Sequence, residues 1–244
     1  MNYISKMGGK EKGPPADSQE YFKSAFSVDN VIFGFDGTDL RVLLIKRAFK
    51  PYLGYWALTG DLVYPHEDLD EAVQRVLTEL TGLKDVFMEQ VKTFGEVDRH
   101  PDGRVITIAY YSLIDIRRYT PNPDAAFASS FMWHKVREVK ELAFDHMKIL
   151  EACFESLKQK VRSQPIGFEL LPDKFTLSQL RQLYEAILEQ PLDKRNFRKK
   201  ILSMNLLIDL NEMQKGVAHR PAKLYRFDYK KYKELISKGF NFDL

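Results

Sequence analysis

The sequence lacks the features of a disulfide-stabilised or membrane-spanning protein. It has one cysteine in 244 residues, so no disulfide can form within the chain. No stretch approaches the roughly 20 apolar residues that a membrane-spanning helix requires. The segment Met1–Lys12 is polar and contains no apolar signal region. We therefore expect a cytoplasmic protein without membrane contact, in which Cys153 is an ordinary buried thiol.

The chain also has little net charge, but that charge is unevenly distributed. The formal net charge is only +3. Residues 165–244 contain 15 Lys and Arg against 10 Asp and Glu, whereas residues 1–164 contain 22 against 24. A basic C-terminal third is typical of a segment that meets a polyanion, although solvated basic surfaces are common.

The pattern divides the chain into a tail and two domains. Residues 1–24 contain Gly-Gly and Pro-Pro pairs and indicate a flexible tail. Residues 25–162 contain strand patterns at 31–35, 40–45 and 104–111 and helical patterns at 67–80 and 145–162. Residues 163–244 form a linker and a second domain, and no internal repeat is present.

A glycine, two glutamates, an arginine and two leucines recur at fixed spacing near the first helix. They are Glu67, Arg75, Leu77, Glu79, Gly82 and Leu83. This segment resembles the Nudix signature, G-x5-E-x7-R-E-U-x-E-E-x-G-U, where U is aliphatic. The resemblance covers about residues 25–160 and implies an α/β fold, a Nudix-like α/β/α sandwich with a mixed sheet.

Three departures from the signature concern its chemistry. Asp61 replaces the first glycine, and Val76 and Leu80 replace two glutamates. In Nudix enzymes, as the resemblance implies, carboxylates on this helix hold Mg²⁺, a cation that prefers oxygen ligands. With Glu79 alone remaining, we expect no catalytic residues, no metal and no cofactor. The alternative is a hydrolase that uses other carboxylates, such as Glu96 or Asp98.

A loop dense in charge precedes the strand at 104–111. Together with the motif it suggests a ligand cleft, because its arginines can meet phosphates and its carboxylates can accept from hydroxyls. The ordinary alternative is a solvated hairpin loop. The expected ligand-binding residues are Asp61, Glu67, Glu96, Asp98, Arg99 and Arg104. His66, His100, His134 and His146 show no metal-ligand spacing.

The C-terminal region has the element order of a winged helix-turn-helix. Thr176 and Gln179 predict a capping box at the start of one helix, and Asp193 can cap the next helix, which begins at Lys194. This second helix is strongly basic and keeps an apolar stripe at Phe197 and Ile201. Two strands and a basic loop follow. The expected DNA-binding residues are Gln179, Lys194, Arg195, Asn196, Arg198, Lys199, Arg220 and Lys223.

Residues 175–227 and the loop at 98–105 resemble Nudix-related transcriptional regulators. The resemblance implies a ligand-responsive regulator whose partners are double-stranded DNA and a small effector, either a sugar or a nucleotide sugar. The changes at Asp61, Val76 and Leu80 favour the branch that senses L-arabinose over the branch that senses ADP-ribose and controls NAD metabolism. A homodimer is expected, because one reading helix covers only half of a two-fold operator.

Overall fold

The computed structural model describes residues 24–84, 86–118, 128–216, 220–240 and 242–243. The predicted tail, apart from Ser24, lies outside these residues. None of the helices described in these ranges is long and apolar enough to cross a membrane.

A seven-stranded mixed sheet forms the centre of the N-terminal part. Its strands are β1 (Ala25–Phe35), β2 (Leu40–Arg47), β3 (Trp56–Ala57), β4 (Thr59–Leu62), β5 (Phe87–Phe94), β6 (Val105–Ile114) and β7 (Ala128–Lys135). The central strand β1 runs parallel to β6 and antiparallel to β2 and β4. β5 borders β6, and β3 and β7 border β2. The predicted mixed sheet is therefore confirmed.

Two helices cover the two faces of this sheet: α1 (Leu69–Thr81) and α2 (His146–Ser163). α1 begins where Asp68 accepts from the Glu71 amide and Glu71 reaches back to the Asp68 amide. It ends at Gly82, whose left-handed φ of 70° would strain a residue with a Cβ. The side chain of Asp145 does not cap α2, because its carboxylate binds Arg99 instead.

Side chains of β1 alternate between the two layers, as expected for a strand buried on both faces. Val28 packs with α1, where Val73 and Val76 are fully buried. Val31 and Phe33 point to the opposite face and belong to the cluster that contains Cys153 of α2. The cysteine is buried, as predicted, and burial raises its pKa. The result is the expected α/β/α sandwich.

The C-terminal domain consists of α3 (Leu177–Leu188), α4 (Lys194–Ser203), β8 (Leu207–Met213), β9 (Lys223–Phe227) and α5 (Tyr229–Ile236). The capping box of Thr176 and Gln179 is present, and Asp193 accepts from the Asn196 amide to start α4. β8 and β9 form an antiparallel hairpin whose loop residues 217–219 lie outside the described part. This confirms the winged helix.

The two domains are joined by a packed segment. Residues Pro165–Leu170 form a 3-10 helix in which Ile166 and Phe168 are buried within the core cluster of α2 and α3. Glu189, which ends α3, forms ion pairs with Arg137 at 2.9 Å and Lys158 of α2 at 2.7 Å. Apolar packing and ion pairs therefore hold the two domains together.

Candidate functional site

The signature residues around α1 form a network centred on Arg75. The Arg75 guanidinium donates to Asp61 at 2.8 Å and to Glu67 at 2.8 and 3.0 Å, and it lies 4.0 Å from the centre of the Tyr64 ring. Glu79 lies farther away, at 3.8 Å. The hydrogen bond from Arg75 lowers the pKa of Glu67 to about 2, so this carboxylate is ionised at neutral pH. Asp61 and Glu67 are therefore neutralised within the protein.

This arrangement does not fit the magnesium site of a Nudix enzyme. Val76 and Leu80 have no exposed surface and belong to the core, whereas Glu79 is 45% exposed on its side chain. The three positions therefore do not form one solvent-facing surface. Within the described ranges, no three His, Cys, Asp or Glu side chains form a group that could hold a metal ion. Val76 and Leu80 thus pack in the core instead of facing a metal.

Replacement of Arg75 by methionine is expected to destabilise the fold. The substitution leaves two nearby carboxylates without their cation, and one of them, Glu67, is largely buried. Removing one partner of such a cluster costs about 2–4 kcal/mol, which corresponds to about 5–10 °C in Tm. Thermal unfolding followed by circular dichroism measures this shift.

The control for this substitution is Lys148→Met. Lys148 forms an ion pair with Glu96 at 2.8 Å, but both side chains are more than half exposed. Exposed pairs contribute little, so the control is expected to leave the Tm almost unchanged. Equal losses in the two variants would contradict the structural role of Arg75.

A polar cavity of about 190 Å³ lies beside this network, between β1, the loop after β5 and the start of α2. Its lining includes Asp29, Arg47, Asp61, Arg99, Phe144 and His146. Arg99 binds both oxygens of Asp145, at 2.7 and 3.0 Å, and lies 3.6 Å from Asp29. All three side chains are at least nine-tenths buried. These ion pairs therefore fix Arg99 and its two carboxylate partners at the cavity.

Two histidines and an arginine complete the cavity. His146 Nδ1 accepts from the Leu58 amide at 3.0 Å, and burial lowers its pKa, so this imidazole is neutral at pH 7. His100 stacks on Phe144 at 4.9 Å. Arg47 donates through Nε to the Pro51 carbonyl at 2.8 Å, which leaves both terminal nitrogens without a carboxylate partner in the described part of the chain. Arg47 is thus available to an anion.

The predicted ligand residues are only partly brought together. Asp61 and Arg99 line the cavity. Glu67 does not line it and forms an ion pair with Arg75. Glu96 pairs with Lys148 and lines a separate groove, Arg104 donates to the Gly95 carbonyl at 2.6 Å, and Asp98 is exposed. The cavity residues not predicted include Asp29, Arg47, His100, Phe144 and His146. Asp29 lies just before the strand pattern at 31–35. A carboxylate beside so apolar a strand is the signal that could have identified it, because a buried carboxylate needs a partner.

The second candidate site is the outer face of α4. Phe197 and Ile201 are buried, and the Phe197 ring lies 5.9 Å from the Tyr184 ring of α3. The predicted reading residues Lys194, Arg195, Asn196, Arg198 and Lys199 are all exposed, and none of the four cations has an ion pair within the described residues. Because α4 packs on the domain through Phe197 and Ile201, its exposed cations can contact phosphates and base edges in a major groove.

The remaining predicted DNA contacts differ from this row. Gln179 uses its side-chain oxygen in the capping box and lines a groove that also contains Phe35 and Leu171. Lys223 pairs with Asp209 at 2.8 Å in the hairpin. Arg220 lies at the border of the undescribed loop. The sequence did not predict the ion pair of Lys223 with Asp209, because the two residues lie on different strands and meet only in the folded hairpin.

Comparison with known proteins agrees with this two-part structure. Residues 23–153 match the family model of the NUDIX domain, and residues 167–227 match the model of the NrtR DNA-binding winged helix domain. The chain is 33% identical over 215 residues to the ADPR responsive transcriptional repressor NtrR of Acinetobacter baylyi. That alignment covers 87% of this chain and 86% of the relative.

Two solved structures extend the comparison. The NrtR of Shewanella oneidensis complexed with a 27mer DNA has a TM-score of 0.75 and 29% identity, covering 90% of this chain and 99% of that chain. The NUDIX domain of the same protein complexed with ADP ribose has a TM-score of 0.52 and 30% identity, covering 59% and 94%. The chain thus belongs to the Nudix-related transcriptional regulators, which join a Nudix domain to an NrtR-type DNA-binding winged helix.

Proposed function

We propose that this protein is a transcriptional regulator whose DNA binding responds to ADP-ribose. The observation that supports this most directly is the polar cavity of the sensor domain, which Arg47 lines together with the fixed pair of Asp29 and Arg99 and in which its guanidinium lies over the Phe144 ring. A guanidinium fork suits a diphosphate, and buried carboxylates suit ribose hydroxyls. The effector residues proposed are Arg47, Asp29, Arg99 and Asp61.

The interpretation that placed the chain nearer to the L-arabinose branch was wrong. The A. baylyi relative, which aligns with most of this chain, is named as ADPR responsive, and the S. oneidensis NUDIX domain was crystallised with ADP ribose. The departures at Val76 and Leu80 were a poor guide to the effector, because both side chains are buried in the core and neither lines the cavity. The available Arg47 cation also favours an anionic effector over a neutral sugar.

We also propose that the sensor is not a hydrolase. Two signature carboxylates are replaced by the buried Val76 and Leu80, and Arg75 neutralises Asp61 and Glu67. Of the alternative carboxylates, Glu96 pairs with Lys148 outside the cavity and Asp98 is exposed. Neither is placed beside the cavity to replace the lost metal ligands.

The DNA reader in this proposal is α4, acting in a homodimer. Its exposed cations number four within the first six residues of the helix, and α3 holds it through Phe197. Two copies would present two such helices to successive major grooves of a two-fold operator. α2 leads from the cavity at His146 to the 3-10 helix before α3. This continuous path would carry the effect of ligand to the reader.

ADP-ribose is expected to change the affinity of the protein for its operator. A coupling of the usual size would alter the DNA dissociation constant by about 5- to 150-fold. The measurement is a mobility shift with promoter DNA from the protein's own genomic neighbourhood, with and without ADP-ribose. L-Arabinose is the matched negative control. An operator affinity that ADP-ribose leaves unchanged would refute the proposed effector.

A further inference from the structure

The turn between β2 and β3 exposes an unusual number of large apolar side chains. Phe49, Tyr52, Leu53 and Tyr55 are 61, 40, 58 and 49% exposed. Single exposed apolar residues are common, but a cluster of four on one turn indicates a binding surface. None of them takes part in the polar cavity described above.

This turn has a defined conformation. The Gly54 amide donates to the Arg47 carbonyl at 3.0 Å, and the Tyr55 amide donates to the Tyr52 carbonyl at 3.1 Å. The Arg47 side chain donates to the Pro51 carbonyl from inside the turn. Tyr52 has a φ of 62°, a left-handed conformation that an aromatic residue adopts only when its surroundings impose it. The exposed rings are therefore held in place.

The turn is continuous with the polar cavity. Tyr52 and Tyr55 line an open recess of about 560 Å³ together with Asp102. The Tyr52 ring lies 4.7 Å from the ring of Phe144, which lines the cavity, and 5.7 Å from the Tyr55 ring. On the other side, the Asp102 amide donates to Nδ1 of His100, another cavity residue. Phe144 and His100 therefore separate the cavity from the recess.

The polar cavity alone is smaller than the 300–1,000 Å³ typical of ligand pockets. A ligand that carries a diphosphate and ribose there would extend its remaining part past Phe144 into the recess. The recess is lined by two tyrosines, by Pro51 and Leu53, and by one carboxylate and one ammonium group, Asp102 and Lys50, and this combination suits a flat heteroaromatic ring with polar edge groups. An aliphatic partner would gain nothing from the carboxylate.

We propose that Tyr52 and Tyr55 form a stacking subsite for the base of a nucleotide effector, adjacent to the polar cavity. This inference rests on the proposed function, since it takes the effector to be a nucleotide. Stacking on aromatic side chains is tolerant of base identity, so the charged groups of the recess, Asp102 and Lys50, would select among bases through their hydrogen bonds. Such a subsite would let the sensor distinguish a nucleotide sugar from a sugar phosphate.

The test is calorimetric titration of the full chain with ADP-ribose and with ribose 5-phosphate, which lacks the base. The variants are Tyr52→Ala and Tyr55→Leu, the second of which keeps apolar bulk but removes the ring. Phe49→Ala is the matched control, because Phe49 is an exposed aromatic of the same turn that does not line the recess. Thermal unfolding followed by circular dichroism verifies that each variant is folded.

We expect Tyr52→Ala and Tyr55→Leu to weaken ADP-ribose binding by roughly 10- to 100-fold, with ribose 5-phosphate binding and the Phe49→Ala control unchanged. ADP-ribose binding that both substitutions leave unaltered would overturn the subsite and leave the proposed effector intact. A wild-type chain that does not bind ADP-ribose would refute the effector and the subsite together. An altered oligomeric state with unaltered ligand affinity would assign the turn to a second copy and also overturn the subsite.

Discussion

Replacing Arg195 and Arg198 together by alanine is expected to remove most of the specific DNA affinity of this protein. Both side chains are exposed on α4, and neither forms an ion pair within the described ranges, so the substitutions leave the fold intact. Loss of arginine contacts to base edges costs about 1–3 kcal/mol each, or about 2–6 kcal/mol for the pair. If either arginine binds a phosphate instead, its removal lowers the salt slope of binding by about 0.9. Mobility shifts at several salt concentrations measure both quantities.

The matched control for this pair is Lys46→Ala with Lys140→Ala. This double variant removes the same charge from exposed positions of the sensor domain. It is expected to leave operator affinity nearly unchanged, because long-range charge effects are screened beyond about 10 Å at ordinary ionic strength. If the α4 variant and the control bound DNA alike, with equal salt slopes, α4 would not be the reader.

The sequence was most informative where local chemistry determines structure. The capping residues Thr176 and Asp193 lie at the starts of α3 and α4, as their side chains require. The spacing of apolar residues identified α1 within two residues at its start, because one face of that helix packs on the sheet. Such signals depend on interactions within three or four residues, which a sequence records directly.

The sequence patterns missed several elements, and three of them show the physical reason. β5 is mostly half-buried or exposed, so its pattern lacks a regular apolar alternation. β7 forms an edge of the sheet on β2 and has mixed exposure for the same reason. α5 has no buried residue and resembles a solvated basic segment. The secondary structure of these segments depends on the elements that they pack against, and their own apolar pattern is too weak to predict it.

The cavity was predicted only in part, because long-range pairing assembles it. Asp29 and Thr107 are 78 residues apart, yet parallel pairing of β1 and β6 places their side chains 2.7 Å from each other. Arg99 meets Asp145 across 46 residues. Glu96, in contrast, is only three residues from Arg99 but binds Lys148 on the surface. Closeness in a charged loop was therefore a weak guide to closeness in space.

Restoring the Nudix signature by Val76→Glu or Leu80→Glu is expected to unfold the sensor domain without creating a hydrolase. Both positions are fully buried, Val76 against Val28 and Ile108 and Leu80 within the neighbouring core cluster. An unpaired charge buried at such a position costs at least about 3–5 kcal/mol. Urea denaturation measures this loss for each single variant.

The pH dependence and a volume-matched control separate charge from packing in this experiment. A buried glutamate has a pKa above its unfolded value of about 4.3, so its destabilising effect is present above that pH and shrinks as the pH falls toward 4. Leu80→Met keeps the apolar volume and is expected to cost less than about 1.5 kcal/mol at every pH.

The same variants are assayed with ADP-ribose and Mg²⁺. Metal-dependent turnover near 1 s⁻¹ in the wild type would mean that the assignment of the domain as a sensor without hydrolase chemistry is wrong. The same turnover in a stably folded Glu variant alone would contradict the expectation that restoring the signature creates no hydrolase.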